Sequence, residues 1–315
     1  MLLASPRLRD QPRAVLFGLA AVLCWSTVAT AFKIGLRHMS AAHLLLHASL
    51  VSTLVLLVML LARGRIGELV TSGRAHWRRA FVMGALNPFA YYLVLFEAYR
   101  RLPAQEAQAI NYTWALTMTL LAAPLLRHPL ALRDIVAAAA CYAGVLVIAT
   151  RGHVTSLEMS DSVGVGLALA STVLWALYWL LNTRDTRDPV VALALNFLAS
   201  LPMIAVWCAA TGALAPVGWQ GAAAATYVGV FEMGLTFVLW LSAMRLTTST
   251  ARIANLIFIS PGASLLLIHL VLGEPVYPST AIGLALILGG LAWQRLSGPS
   301  LPRYPEADAP RRWEG

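Results

Sequence analysis

RLPAQEAQAINYTW, from Arg101 to Trp114, and RLTTSTARIANLIF, from Arg245 to Phe258, place Arg, Leu, Ala and Asn at matching positions 144 residues apart. Working outward, Gly84 pairs with Gly229 and Ala98 with Ala243 at an offset of 145. Pro129 pairs with Pro275 and Gly144 with Gly290 at 146, and Trp25 pairs with Trp175 at 150. Pairs that keep one order along the chain read as an internal duplication, with the drift in offset absorbed by loops.

The 315 residues are 59% hydrophobic and 12% charged, against roughly 45–50% apolar and about 25% charged in soluble domains. Lipid is therefore the main solvent. Ten apolar stretches are expected as membrane spans, at 14–34, 41–62, 79–99, 104–126, 131–150, 163–182, 190–210, 220–243, 249–271 and 276–294. Each is close to the length of about 20 helical residues that crosses roughly 30 Å of hydrocarbon. The runs are too long and too uniformly apolar for barrel strands, and backbone groups in lipid must be satisfied within the segment.

Five spans per copy is an odd number, so the second copy enters the membrane from the side opposite to the first. The expected fold is an all-α integral membrane protein, its ten transmembrane helices forming two inverted five-helix repeats around a central cavity. The expected organisation is a segment 1–13, repeats at 14–150 and 163–295, a linker 151–162 and a proline-containing tail 296–315. No secretory signal peptide is read at the start. Cys24, Cys141 and Cys208 fall inside spans and read as small buried hydrophobes.

Net charge is +9, and its placement matters more than its size. With the N-terminus inside, 18 of the 23 Lys and Arg fall on the cytoplasmic side, leaving Lys33, Arg37, Arg100, Arg101 and Arg151 outside. By the positive-inside rule both termini are cytoplasmic. The basic balance thus reads as topology, and no nucleic-acid partner is expected. A pseudo-two-fold axis in the membrane plane suits alternating access to a midplane site, which points to a transporter.

The stretch FISPGASLLLIHLVLGEPVYPSTAIGLALILGGLAW, with Pro261, Gly273, Glu274, Gly283 and Gly289 in order, resembles the end of an EamA-type repeat of the drug/metabolite transporter superfamily. The likeness extends over roughly residues 14–295. It implies a ten-helix exporter of the bacterial inner membrane. INYTWALTMTLLAAPLL from Ile110 is similar to the fourth helix of YddG-type aromatic amino acid exporters, in which Asn-Tyr-x-Trp occurs. In the first repeat Arg127-His128-Pro129 replaces the Gly-Glu pair, and no Pro follows Trp114.

Trp77, Trp219 and Trp293 lie at span ends and read as an interfacial belt. Trp25, Trp114, Trp175, Trp179, Tyr91, Tyr92, Tyr112 and Tyr178 lie inside spans, where an indole or phenol needs a partner or a wet cavity. Trp114 and Trp175 head the expected substrate site, with Tyr91, Tyr92, Tyr112, Tyr178, Asn87, Asn111, Asn255, Phe258 and Pro261. Asn87 matches Glu232, and Asn111 matches Asn255, across the repeats. Glu232 is the one carboxyl deep in a span; carrying a proton, accepting a substrate ammonium and serving as a neutral structural acid all stay open for it.

Breaks are expected at Asn87-Pro88 and Ser260-Pro261-Gly262. Ala139 with Ala143, and Ala285 with Gly289, form matching small-residue faces expected to pack inside the bundle. Lys33 is expected to snorkel to the interface, and His43 and His47 to form a polar stripe without metal. No catalytic or metal residue and no cofactor is assigned, because paired Asp-rich motifs, a His-Glu-x-x-His run and a nucleophile near His are all missing from the sequence. The expected activity is export of aromatic or large apolar amino acids by a monomer in the lipid bilayer. A multidrug or other small-metabolite exporter is the alternative, and a membrane-embedded lipid enzyme a remote one. Nucleotide-sugar cargo is disfavoured, since the spans hold almost no cation beyond Arg252.

Overall fold

The computed structural model describes residues 10–126, 130–155, 159–182, 185, 187–247, 253 and 255–296. All of the expected tail 296–315 but Leu296, most of the 1–13 segment, Arg252 and the Arg127-His128-Pro129 substitution therefore lie outside the described residues, as does part of the 151–162 linker. Among the described residues seven helices are long and apolar enough to cross a membrane, and three shorter or broken ones bring the helical segments to ten. They are α1 (Gln11–His38), α2 (Ala41–Ala62), α3 (Arg74–Arg101), α4 (104–126), α5 (Leu132–Ala149), α6 (Ser162–Asn182), α7 (Pro189–Ala210), α8 (219–246), α9 (Leu256–Leu272) and α10 (Pro278–Leu296).

Capping explains several starts. Asp10 accepts from the Arg13 N–H, Ser40 from His43, and Asp188 from Val190 and Val191, with proline early in the first turn of α1 and α7. Such side chains satisfy N–H groups that a helix leaves unbonded, while proline gives up none that were needed.

Four of the ten spans are interrupted. In α3 a π-helical stretch Ala85–Ala90 contains Asn87 at φ −146°, ψ 118°, ahead of a cis peptide to Pro88. Its counterpart in α8 is the π-helical Val228–Leu235. In α4 the helix breaks between Ala104–Asn111 and Trp114–Leu126, and α9 opens with a 3₁₀ turn at Leu256–Phe258. The expected interruption at Pro261 is thus displaced upstream. Pro261 sits in the first turn of the α-helical segment Ile259–Leu267, where a missing N–H costs little. Pro124 and Pro202 lie within continuous helix.

The duplication is visible as a pseudo-two-fold packing pattern. A Cβ on Gly144 of α5 would meet the Gly283 carbonyl of α10 at 2.5 Å, and one on Gly283 would meet the Gly144 carbonyl at 2.5 Å. An offset of 146 carries that contact onto Gly290 and Ala137, where a Cβ on Gly290 would meet the Ala137 carbonyl at 3.0 Å. Between the two contacts the Cys141 thiol donates to the carbonyl of its own repeat mate, Ile287, at 3.3 Å. The axis therefore passes between Cys141 and Ile287. The same operation relates Gly229 of α8, seated on the Ala48 carbonyl of α2, to Gly84 of α3, seated on the Asn196 carbonyl of α7.

This packing corrects one expectation. Ala139, Ala143, Ala285 and Gly289 all face outward, and a Cβ on Gly289 would touch nothing within 4 Å. The α5–α10 seam uses the neighbouring face, Ala137, Cys141 and Gly144 against Gly283, Ile287 and Gly290.

Ion pairs tie the repeats at the face carrying the α2–α3 and α6–α7 connections. Arg65 Nη1 lies 2.6 Å from Asp188, and Arg79 Nε lies 3.2 Å from Asp185, which also holds Arg187 at 2.6 Å. Burial alone would raise the Asp188 and Asp185 carboxyls, but Arg65 and two backbone N–H groups hold the first, and Arg187 with Arg79 the second, below the usual aspartate range. At the opposite face, Gly273 in the left-handed region (φ 69°) ends α9. Glu274 then turns to accept the Ala104 N–H at 2.9 and 3.1 Å, binding the start of α4 to the second repeat. That is the structural work of the Gly-Glu pair. Glu106, fully buried, accepts from Arg151 at 3.1 Å and from Ser160 at 2.7 Å.

Lys33 departs from expectation. Its ammonium donates to the Tyr99 and Leu102 carbonyls at 2.7 and 2.6 Å, so it is spent on the buried C-terminal carbonyls of α3 and does not end in water.

Gly144→Val, which drives two methyls against the Gly283 carbonyl, is expected to destabilise the protein by about 1–3 kcal/mol or more and to lower its apparent melting temperature in detergent. Gly289→Ala, into open space, serves as the control and is expected to leave it unchanged.

Candidate substrate site at the centre of the bundle

Trp175 of α6 is the hub of the site. It is 8% exposed, stacks on Tyr91 at 4.5 Å and on Tyr178 at 5.8 Å, and meets Trp114 (6.4 Å) and Trp179 (5.8 Å) edge-on. Phe237 of α8 lies 6.0 Å from Trp175 and 6.5 Å from its repeat mate Trp25, so one chain of rings runs from the first copy to the second. Trp240 extends it, 5.2 Å from Trp25. The rings stand in mutual contact and form a platform of flat apolar faces.

Polar groups converge around this platform. Asn111 donates to Ser171 at 3.0 Å and Tyr112 to Ser260 at 2.8 Å, which ties the broken α4 to α6 and α9. Tyr92 donates to Glu232 Oε1 at 3.2 Å, joining α3 to α8. The Tyr178 hydroxyl faces Asn87 and Asn196. No hydrogen bond closes onto Asn87 Oδ1, onto either amide atom of Asn196, onto Trp179 Nε1 or onto Glu232 Oε2, although these atoms are buried. A buried polar group left unmatched costs about 1–3 kcal/mol, and an ionisable one at mid-bilayer about 2.5–3.5 kcal/mol on insertion scales. Such a concentration of unmet atoms beside an aromatic platform suits a ligand that brings both rings and hydrogen-bonding groups.

The structure does not bring all the expected residues to the same place. Trp114, Trp175, Tyr91, Tyr92, Tyr178, Asn87 and Glu232 share the centre, with Asn111 and Tyr112 on its α4 edge. Pro261 is buried beside Ser260, and Phe258 is half-buried against the core. Asn255 is exposed, whereas its match Asn111 is half-buried. Reading the sequence missed two central residues. Asn196 was legible as an amide inside the apolar run of α7, and Phe237 as the repeat mate of Tyr92. His43 and His47 pack ring to ring at 4.6 Å.

A crevice of about 470 Å³ lies to the side of the platform, between α3, α4 and α6. Val82, Leu86, Leu125, Leu177 and Leu181 line it, and none of the central aromatic residues does.

Comparison with known proteins gives consistent relatives. The profile of the EamA-like transporter family matches residues 12–150 and again residues 162–294. An aromatic amino acid exporter, YddG, of Ancylobacter novellus is 28% identical over 297 residues, covering 89% of this chain and 96% of that protein. An uncharacterized protein of Pseudomonas aeruginosa is 30% identical over 223 residues, covering 70% of this chain and 74% of its own length. A crystal structure carrying no functional name superposes with a TM-score of 0.63 at 24% identity, over 91% of this chain and 98% of that one, which is a likeness of fold.

Trp175→Ala is expected to cost about 3–5 kcal/mol, the usual range for deleting a buried aromatic ring, seen as a lowered detergent melting temperature. Trp219→Ala, at a residue 78% exposed, is expected to shift it little.

Proposed function

The chain belongs to the EamA-like transporter family, and from that membership we propose that it exports aromatic amino acids from the cytoplasm by alternating access. The observation that carries the cargo class is the Trp175 platform beside unmatched polar atoms of Asn87, Asn196 and Glu232. A flat side chain stacked on these rings would lose apolar surface to the protein at about 25 cal/mol per Å², while the backbone end of an amino acid supplies three ammonium donors and two carboxylate acceptors. The relative in Ancylobacter novellus, named an aromatic amino acid exporter, supports the same cargo.

In this reading repeats 14–150 and 163–295 are the two moving halves, hinged about the Cys141–Ile287 axis, and the protein works as a monomer in the bacterial inner membrane. The face bearing Arg63, Arg65, Arg74, Arg78, Arg79 and Arg187 is cytoplasmic, since lysine and arginine collect there. The interrupted helices α3, α4, α8 and α9 are the parts that change shape, because their central backbone is already outside the regular hydrogen-bonded ladder.

A second cargo class has one observation in its favour. The leucine-lined crevice between α3, α4 and α6 is apolar and lateral, which suits a lipophilic drug arriving from the bilayer.

Labelled tryptophan, phenylalanine, leucine and lipophilic cations, each tested in proteoliposomes, distinguish the two. Saturable flux of the aromatic amino acids is expected, with Trp114→Ala lowering it about tenfold, the effect of roughly 1.4 kcal/mol of lost binding. Flux of drugs alone, or undiminished aromatic flux in the variant at normal membrane yield, would overturn the cargo or the residue respectively. Cysteines placed at Arg74 and at His153 are expected to react with an impermeant reagent from the cytoplasmic and external side respectively; the opposite pattern inverts the topology.

A further inference from the structure

Glu232 sits in the π-helical segment of α8 and is 8% exposed. Its Oε1 accepts the Tyr92 hydroxyl at 3.2 Å, and its Oε2 is buried without a hydrogen-bond partner. Among the described residues, the titratable groups whose charge acts together with that of Glu232 are the phenols of Tyr91, Tyr92, Tyr99 and Tyr112. Helices α1 and α2 pack directly on the π segment. Of their charged and titratable groups, Lys33 donates to the Tyr99 and Leu102 carbonyls under the influence of Glu274 and Glu106, and His43 packs on His47. From α2 the segment receives Ser52, whose hydroxyl donates to the Met233 carbonyl at 2.9 Å. Among the described residues the salt bridges use Asp10, Glu68, Glu97, Glu106, Asp161, Asp185 and Asp188, and none uses Glu232.

A carboxylate in a low-dielectric interior requires a positive partner, and no described side chain supplies one. We propose that Glu232 is a cation-exchange site, occupied by the ammonium group of an amine cargo during export and by a proton on the return. The inference rests on the exporter reading above and deepens it, since it makes a primary amine the obligatory part of the cargo. An ammonium has three N–H donors; Glu232 Oε2 is a buried acceptor left unmatched, and so is Asn87 Oδ1 at the equivalent place in α3. The organic body of the amine then lies against the Trp175 platform.

The exchange balances. With the site open to the cytoplasm, the Glu232 carboxylic acid gives its proton to water as the ammonium takes its place. With the site open outward, the ammonium leaves and the carboxylate takes a proton from external water. One zwitterionic amino acid leaves and one proton enters in each cycle, so one positive charge moves inward and an inside-negative potential drives export.

The test uses the purified full chain in weakly buffered detergent with a pH indicator, from pH 5 to pH 8. Phenylalanine, phenethylamine and 3-phenylpropionate are the probes. At the pH where release is greatest, wild type is expected to give up about one proton for each phenylalanine or phenethylamine bound, as linkage requires when a ligand displaces a proton. It is expected to give up none with 3-phenylpropionate, which lacks the amine. Glu232→Gln is expected to bind phenylalanine about tenfold more weakly and to release no proton, whereas Glu232→Asp, which keeps the carboxyl, retains the release. Each variant is first required to elute as a single species.

Phenylalanine bound by wild type with no proton released at any pH, or equal release from Glu232→Gln, overturns the exchange and leaves the exporter reading standing. Proton release with phenethylamine but no binding of phenylalanine supports the amine site and overturns the amino acid cargo.

Discussion

Hydrocarbon offers no hydrogen bonds, so a backbone that leaves the helix inside a membrane must do so where protein surrounds it. That constraint organises this molecule. The interruptions at Asn87-Pro88, at Tyr112-Thr113 and in Val228–Leu235 all lie within spans, and the side chains around them are the buried polar ones. Asn87, Thr113, Glu232 and Thr236 are each 8% exposed or less. The Thr236 hydroxyl donates to the Phe231 carbonyl inside the π segment, and Ser52 reaches the Met233 carbonyl from α2. Irregular backbone and polar side chains thus sustain one another at the centre, and the aromatic platform seals them from lipid.

The inverted duplication supplies the geometry for this arrangement at low cost. Glycine seats at Gly84 and Gly229 let α3 and α8 approach α7 and α2 closely enough for side chains near their breaks to meet across the axis. The α5–α10 seam, through Gly144, Gly283 and Gly290, makes a further close contact between copies. Cys141 and Ile287 meet on the axis itself, where a residue and its mate must touch.

Much of the architecture was legible because lipid imposes a length on every span and because glycine and proline mark repeat positions that packing cannot vary. The Gly84–Gly229 and Gly144–Gly290 pairs announced the contacts that α3, α8, α5 and α10 make. Helix rotation was not legible. In water the polar face of a helix reveals which side is buried, but a lipid-facing side chain is as apolar as a core one. Hence the Ala139/Ala143 face was indistinguishable from the Ala137/Cys141/Gly144 face that forms the seam, and only its repeat relation to Tyr92 marked Phe237 apart from a lipid contact. Lys33 misled for a related reason: a long cation near a helix end can reach either water or a neighbour's open carbonyls, and only the position of Tyr99 and Leu102 decides.

Symmetry also explains why the centre is uneven. Asn87 and Glu232 occupy equivalent places in α3 and α8, so a fully symmetric molecule would carry either two amides or two carboxyls there. Two buried carboxyls near one site cannot both ionise, because like charges in a low dielectric hold one proton tightly. Two amides would leave the site with no charge to answer a cation. In the exchange proposed for Glu232, one of each gives a single titratable group, with the amide oxygen of Asn87 as a neutral acceptor. Tyr92 donates to Glu232 while its own mate, Phe237, has no hydroxyl to offer Asn87. The second difference therefore follows the first: the phenol stands where a carboxylate can accept it, and the plain ring stands where it completes the aromatic bridge from Trp25 to Trp175.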